Sequence, residues 1–114
     1  MLDSQPSLFD LFAPVVTPEY ESGATIGERF EAFHGRNPHI YTELRRMALA
    51  LRQRGMARYG IAGLFETLRY HYAIQTQGDD FKLNNDFRAL YARLLMRNEP
   101  ALYGFFEIRC RRTE

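Results

Sequence analysis

Ile40, Tyr41, Leu44, Met47, Ala48 and Leu51 recur at i, i+1, i+4, i+7, i+8 and i+11, a spacing that an α-helix gathers onto one face. A strand would send half of them into water. Asn37 reads as the N-cap of this helix, with Pro38 at the first helical position, where a missing N–H costs nothing. Gly55 supplies the left-handed residue that commonly closes a helix. Arg45, Arg46, Arg52 and Arg54 fall mainly on the opposite side, so the pattern predicts one amphipathic helix from 38 to just before Gly55.

Other segments follow the same period. Thr25 and Glu28 have the form of a capping box, and Ile26, Phe30 and Phe33 continue it as a short helix over 26–34. Ile61, Leu64, Phe65, Leu68, Tyr72 and Ile74 predict a third helix over 61–75, closed by Gln77-Gly78 and Asp79-Asp80. Phe81-Lys82-Leu83 alternates like a short strand, after which Asn84 or Asn85 caps a fourth helix. Phe87, Leu90, Tyr91, Leu94 and Leu95 mark its apolar face, and Asn98 and Pro100 stop it just after Arg97. Residues 104–111 close the chain with Phe106, Ile108 and Cys110 alternating with charged side chains, the period of a half-buried strand that Phe81–Leu83 would pair. The expected fold is mainly α with a small β component: a bundle of three to four helices with a C-terminal strand.

Three of the five prolines, Pro6, Pro14 and Pro18, fall within 1–24, which argues against a continuous helix or strand there. The chain therefore divides into an extended arm over 1–24 and a folded domain over 25–114. Leu8, Phe9, Leu11 and Phe12 form an apolar cluster within the arm, which docks either on a partner or back onto the helices as a strap. Charge divides the same way. Residues 1–28 hold Asp3, Asp10, Glu19, Glu21 and Glu28 and no lysine or arginine, a net of −5. Residues 29–114 hold all 15 basic residues against the other 9 of 14 acidic ones, a net of +6. A basic body favours an anionic partner, nucleic acid first, while an acidic arm can lie across the same surface.

Composition narrows the classes. At 114 residues and 46% hydrophobic content the chain is one globular domain, without an apolar run able to span a bilayer and without signal-peptide features, so its expected address is the cytoplasm with no membrane partner. One cysteine, Cys110, allows neither an internal disulfide nor a multi-cysteine zinc cluster. Catalysis is not expected. Ser4, Ser7 and Ser22 all lie in the arm, and His34, His39 and His71 lack the i, i+4 spacing of a helical metal site. Asp80-Phe81-Lys82 has the acidic-x-lysine form that ends a restriction-type Mg²⁺ nuclease motif, yet the sheet on which such sites are built is missing from the pattern. No cofactor and no metal ligand set is expected.

Three packed helices followed by a strand and a basic tail, over about residues 38–112, resemble a winged helix-turn-helix module. That resemblance implies binding to double-stranded DNA, and a homodimer for two half-sites. A helical projection places Asn85, Ala89, Ala92 and Met96 at the centre of the fourth helix's solvent side, with Arg88, Arg93 and Arg97 flanking them. Arginine can pair with guanine or clamp phosphate, and asparagine can read adenine, so Asn85, Arg88, Arg93 and Arg97 are the candidate DNA contacts. Arg109, Arg111 and Arg112 would add phosphate contacts. The roughly nine-residue connection before the fourth helix departs from the three or four residues of that motif.

In the arm, Gln5-Pro6-Ser7-Leu8-Phe9 resembles the pentapeptide with which bacterial replication and repair proteins bind the polymerase sliding clamp, with Pro6 in place of the usual leucine. The resemblance implies that Leu8 and Phe9 fill a hydrophobic pocket while Gln5 hydrogen-bonds beside it. Arg29-Phe30-Glu31-Ala32-Phe33-His34, Asn37-Pro38-His39, Gly60-Ile61, Asp80-Phe81-Lys82-Leu83-Asn84-Asn85 and Tyr91-Ala92-Arg93 resemble segments of small phage and prophage proteins of G+C-rich bacteria. This implies no activity, only a setting in which DNA, replication machinery or a host complex is within reach. The expected function is DNA binding by residues 85–97 and the C-terminal strand, with an arm that docks a protein. The alternative is a protein-interaction module, an inhibitor or adaptor of a host complex.

Overall fold

Thr25 opens the first helix as its sequence predicts. Its hydroxyl accepts the Glu28 N–H at 3.1 Å, and the Glu28 carboxylate accepts the Thr25 N–H at 2.8 Å. Reciprocal caps of this kind stabilise a helix start by about 1 kcal/mol. The computed structural model describes residues 13–75 and 83–107, and among them four α-helices follow in order: α1 (Ile26–Arg36), α2 (Pro38–Gln53), α3 (Ile61–Gln75) and α4 (Arg88–Asn98). Short 3₁₀ turns at Asn85–Phe87 and Pro100–Leu102 bracket α4. None of these helices is long and apolar enough to cross a membrane.

Asn37 marks the junction of α1 and α2, but its side chain does not cap α2. Its Oδ1 accepts the Val16 N–H at 2.8 Å, and its Nδ2 donates to the Val16 carbonyl at 2.7 Å and the Phe33 carbonyl at 2.9 Å. The reason is burial. At 0% exposure the amide needs a full set of partners. Val16's extended peptide group offers a donor and an acceptor together, so Asn37 serves it as a neighbouring strand would. At the other end of α2, Gly55 at φ 98° allows its own N–H to reach the Arg52 carbonyl and the Met56 N–H to reach the Leu51 carbonyl. This is the Schellman closure that the glycine predicts.

The core forms where the helical stripes meet: Phe33 of α1, Ile40 and Leu44 of α2, Phe65 and Leu68 of α3, and Tyr91 and Leu95 of α4 are all buried. Phe30 packs its ring edge-on to Tyr91 at 4.8 Å, which joins α1 to α4. Tyr91's hydroxyl is buried without a hydrogen-bond partner among the described residues, and burial holds it well above the usual phenol range. One predicted core residue of α3 faces out, because Ile74 is 55% exposed in the last turn.

The small β component is corrected by the structure. No strand occurs among the described residues. Residues 104–107 form a turn and a bend, and Phe105 and Phe106 are buried one after the other, which strict alternation forbids. Gly104 at φ 70° turns the chain after the second 3₁₀ segment, and the two rings then pack edge-on at 5.1 Å. Leu83 is buried without belonging to a strand; Phe81, Lys82 and residues 108–111 lie outside the described residues. The winged-helix architecture is accordingly replaced by a helical bundle. The C-terminal stretch also braces the connection between α2 and α3. Arg52 donates to the Ala101 and Met56 carbonyls at 3.1 Å each, and the Tyr59 N–H reaches the Phe105 carbonyl at 3.2 Å.

Candidate functional site

The arginines expected to contact DNA occupy dissimilar environments. Asn85, exposed at the start of the first 3₁₀ turn, accepts a hydrogen bond from Arg69, which also donates to the Leu83 carbonyl at 2.7 Å and pairs with Glu66. Arg88 is half-buried and donates to the Asn85 carbonyl at 3.2 Å. These two residues come together but hold one another. Arg93, half-buried, and Arg97, exposed, follow one face of α4 and have no hydrogen bond or ion pair among the described residues. Between them the expected reading surface fails. Ala92, placed at its centre, is 0% exposed, while Ala89 and Met96 are half-buried. The helix contacts α2, α3 and both 3₁₀ turns. Arg109, Arg111, Arg112, Gln5, Leu8 and Phe9 lie outside the described residues.

Other arginines are engaged within the fold. Arg45 pairs with Glu99 at 2.7 Å, a hydrogen bond that raises its pKa. Arg46, itself half in solvent, donates to the buried Glu43 carboxylate at 2.9 Å and is raised for the same reason. No group of three or more histidine, cysteine or acidic side chains suited to a metal ion occurs among the described residues.

A different site emerges between α2 and α3. A seven-residue connection turns the chain back, so that Arg46, Met47, Ala50, Leu51 and Arg54 of α2 face Leu64, Thr67 and His71 of α3, with Tyr59 closing one end. The resulting groove holds about 280 Å³. Its floor is apolar: Met47 and Leu64 are buried and Leu51 packs half-buried against the core. Its rim is polar, with Arg46, already held by Glu43, and Arg54 along one side and His71 on the other. Arg54 has no acceptor among the described residues, and neither does Arg58 in the adjoining connection. Such a surface suits a ligand with apolar side chains and negative charge in alternation.

Two stripes with a four-residue step build this groove. Arg46, Ala50 and Arg54 recur along α2, and Thr67 and His71 along α3, so the small central side chains of Ala50 and Thr67 leave the space between the two walls unfilled. Tyr59 lies over Gly63, where a Cβ would stand 3.0 Å from its ring. Sequence reasoning missed the site because it assigned Arg46 and Arg54 only to an outer face. The facing of two stepped stripes was the available signal, visible once α2 and α3 are taken as antiparallel neighbours.

At the opposite end of the same helix pair, the arm is fastened. The Tyr72 hydroxyl donates to the Ala13 carbonyl at 2.8 Å, and burial, reinforced by the Glu43 charge, pushes this phenol up to about 12. His39 also hydrogen-bonds to the Ala13 backbone, yet burial outweighs that bond and lowers its pKa. Comparison with protein-family models, with curated proteins and with solved structures finds no match to this chain.

Proposed function

We propose that the protein is a protein-interaction module whose α2–α3 groove takes an acidic, apolar-bearing peptide segment. The observation that carries this reading is the pairing of an apolar floor with Arg54 on the rim, which has no acceptor among the described residues. Leucine or phenylalanine side chains of a bound segment would remove apolar surface from water at about 25 cal/mol per Å². Aspartate or glutamate beside them would meet guanidinium groups, which favours acidic over basic segments and makes binding salt-sensitive. Amide chemical shifts of the full chain, titrated with a short synthetic peptide of aspartates interspersed with leucine and phenylalanine, test it. Changes centred on Ala50, Leu51, Thr67 and His71 and weakened at least about tenfold by Arg54→Glu are expected. Shifts elsewhere, or none, overturn the reading.

Nucleic-acid binding is the second reading. It draws on Arg36, Arg54, Arg58, Arg93 and Arg97, which have no acceptor among the described residues, together with Arg109, Arg111 and Arg112 of the basic tail. The mode is phosphate contact rather than base reading centred on Ala92, because Ala92 is buried. A gel-shift titration against double-stranded DNA at two salt concentrations checks it. Arg93→Ala should weaken binding equally for every sequence and lower the salt dependence. No affinity at low salt removes this reading.

A further inference from the structure

We propose that Tyr103 and Arg58 form a site for an unpaired nucleotide of single-stranded nucleic acid, with the tyrosine ring stacking on the base and the guanidinium meeting a phosphate. The inference rests on the nucleic-acid reading and adds to it a strand form and an aromatic contact. Exposure is the first observation. Tyr103 is 86% exposed, yet its backbone is held on both sides. Its N–H donates to the Pro100 carbonyl at 3.2 Å, the Phe105 N–H donates to the Leu102 carbonyl at 3.0 Å, and Gly104 takes the φ of 70° that closes the turn. Leu102 and Phe105, both at 0% exposure, pin the turn to the core. The ring is thus carried outward on fixed backbone with only two side-chain torsions to settle, and it makes no hydrogen bond or ring contact among the described residues. Packing of the bundle does not use it.

Charge is the second. Arg52 donates to both the Ala101 and Met56 carbonyls, and the Tyr59 N–H donates to the Phe105 carbonyl, so the Tyr103 turn lies against the α2–α3 connection. That connection begins after Arg54 and carries Arg58, both exposed and without an acceptor among the described residues, and residues 54–60 contain no carboxylate. On the turn's own side, Glu99 is taken by Arg45, and Glu107 comes after the buried Phe105 and Phe106. Arg58 does not line the α2–α3 groove, so this site is separate from the peptide site. An aromatic ring beside uncompensated guanidinium groups matches the way unpaired strands are held, by stacking on an aromatic face while cations take the phosphates. A duplex keeps its base faces stacked on one another, and a protein hot spot sets its aromatic residue within a surrounding seal of other side chains. Along the turn, Tyr103's exposed neighbours are Ala101 and Gly104, too small to form such a seal.

Fluorescence anisotropy of short labelled oligothymidylate and oligouridylate with the full chain, beside a duplex of the same length and at two salt concentrations, tests the site. Tighter binding of one strand than of the other tells DNA from RNA, and either supports it. Tyr103→Ala should weaken single-strand binding at least about fivefold while duplex binding stays within about twofold. Tyr103→Trp, which keeps a flat ring, should retain the single-strand affinity. Arg58→Glu should weaken strand and duplex alike and lower the salt dependence. All three positions of change are exposed, so unchanged thermal midpoints serve as the folding control. An unchanged single-strand affinity in Tyr103→Ala overturns the inference; if Arg58→Glu still weakens the duplex, the phosphate-contact reading stands. Equal losses on strand and duplex in Tyr103→Ala overturn it too, because the ring then does not act on an open base. If Tyr103→Ala weakens the acidic peptide probe instead, the turn belongs to a protein partner and the inference falls. Absence of binding to strand and duplex alike at low salt removes the inference and the nucleic-acid reading together.

Discussion

α2 and α4 carry similar loads of arginine and apolar residues, yet α2 keeps an open outer face and α4 is at least half-buried over most of its length. Along α2 the apolar residues keep to one stripe, and Arg45, Arg46, Ala50 and Arg52 on the other are exposed. Along α4 the buried face widens beyond Tyr91 and Leu95 to take in Ala92, which is small enough to admit a neighbouring element, and Ala89, Arg93 and Met96 are half-buried. Arginine content says little about which helix meets a partner. The size of the residues between the arginines decides it: on α2 a small residue facing a parallel stripe leaves a groove, and on α4 a small residue lets packing close over it.

The sharpest way to break this comparison is to place the same bulk and charge on each helix. Ala92→Arg should cost at least about 4 kcal/mol, because it overfills a buried site and buries a charge without a partner. Ala50→Arg should change stability by no more than about 0.5 kcal/mol, as for an exposed position. Urea denaturation followed by circular dichroism measures both. If Ala92→Arg leaves the midpoint unchanged, α4 is a surface helix and the contrast dissolves.

A second variant probes the tether that fastens the arm to the start of α2. Asn37→Ala removes both partners of the Val16 peptide group and one bond to Phe33, and should cost about 2–4 kcal/mol. Faster amide exchange at Val16 with α4 still protected would localise the damage to the arm. The smallest effect concerns pH. His39 has a folded-state pKa below its ordinary 6.5, so the folded state favours the neutral ring. Its contribution is complete above about pH 6.5 and is lost as the pH falls through the depressed folded value. Urea midpoints at about pH 7.5 and pH 5 should differ less in His39→Gln than in the unsubstituted chain. An unchanged difference would show that the ring at Ala13 does not sense the bundle.

Much of the helical framework is readable from local chemistry. The Thr25–Glu28 box, Pro38 at a first helical position, Gly55 after a last one and the Ile40–Leu51 stripe each specify a backbone state within a few residues of themselves. The failures share a cause as well. Asn37's amide goes to Val16, 21 residues away, and no local rule records that pull. Phe106 suggested alternation, but burial of Phe105 depends on a turn at Gly104 and on a cavity shaped by other elements. The groove belongs to neither helix alone. It exists only when the Arg46–Ala50–Arg54 stripe faces Leu64, Thr67 and His71, a relation fixed by tertiary packing.

The bracing of the α2–α3 connection has a consequence for how the molecule is made. Arg52 finds its carbonyl partner 49 residues downstream, and the Tyr59 N–H waits for Phe105. Leu102, Phe105 and Phe106 are inside the fold, so a nascent chain paused after α3 holds its first helices with their hydrophobic seat vacant. The ribosome must release residue 106 before those helices lock, and until then the growing chain is a client for whatever shields greasy surfaces at the tunnel exit.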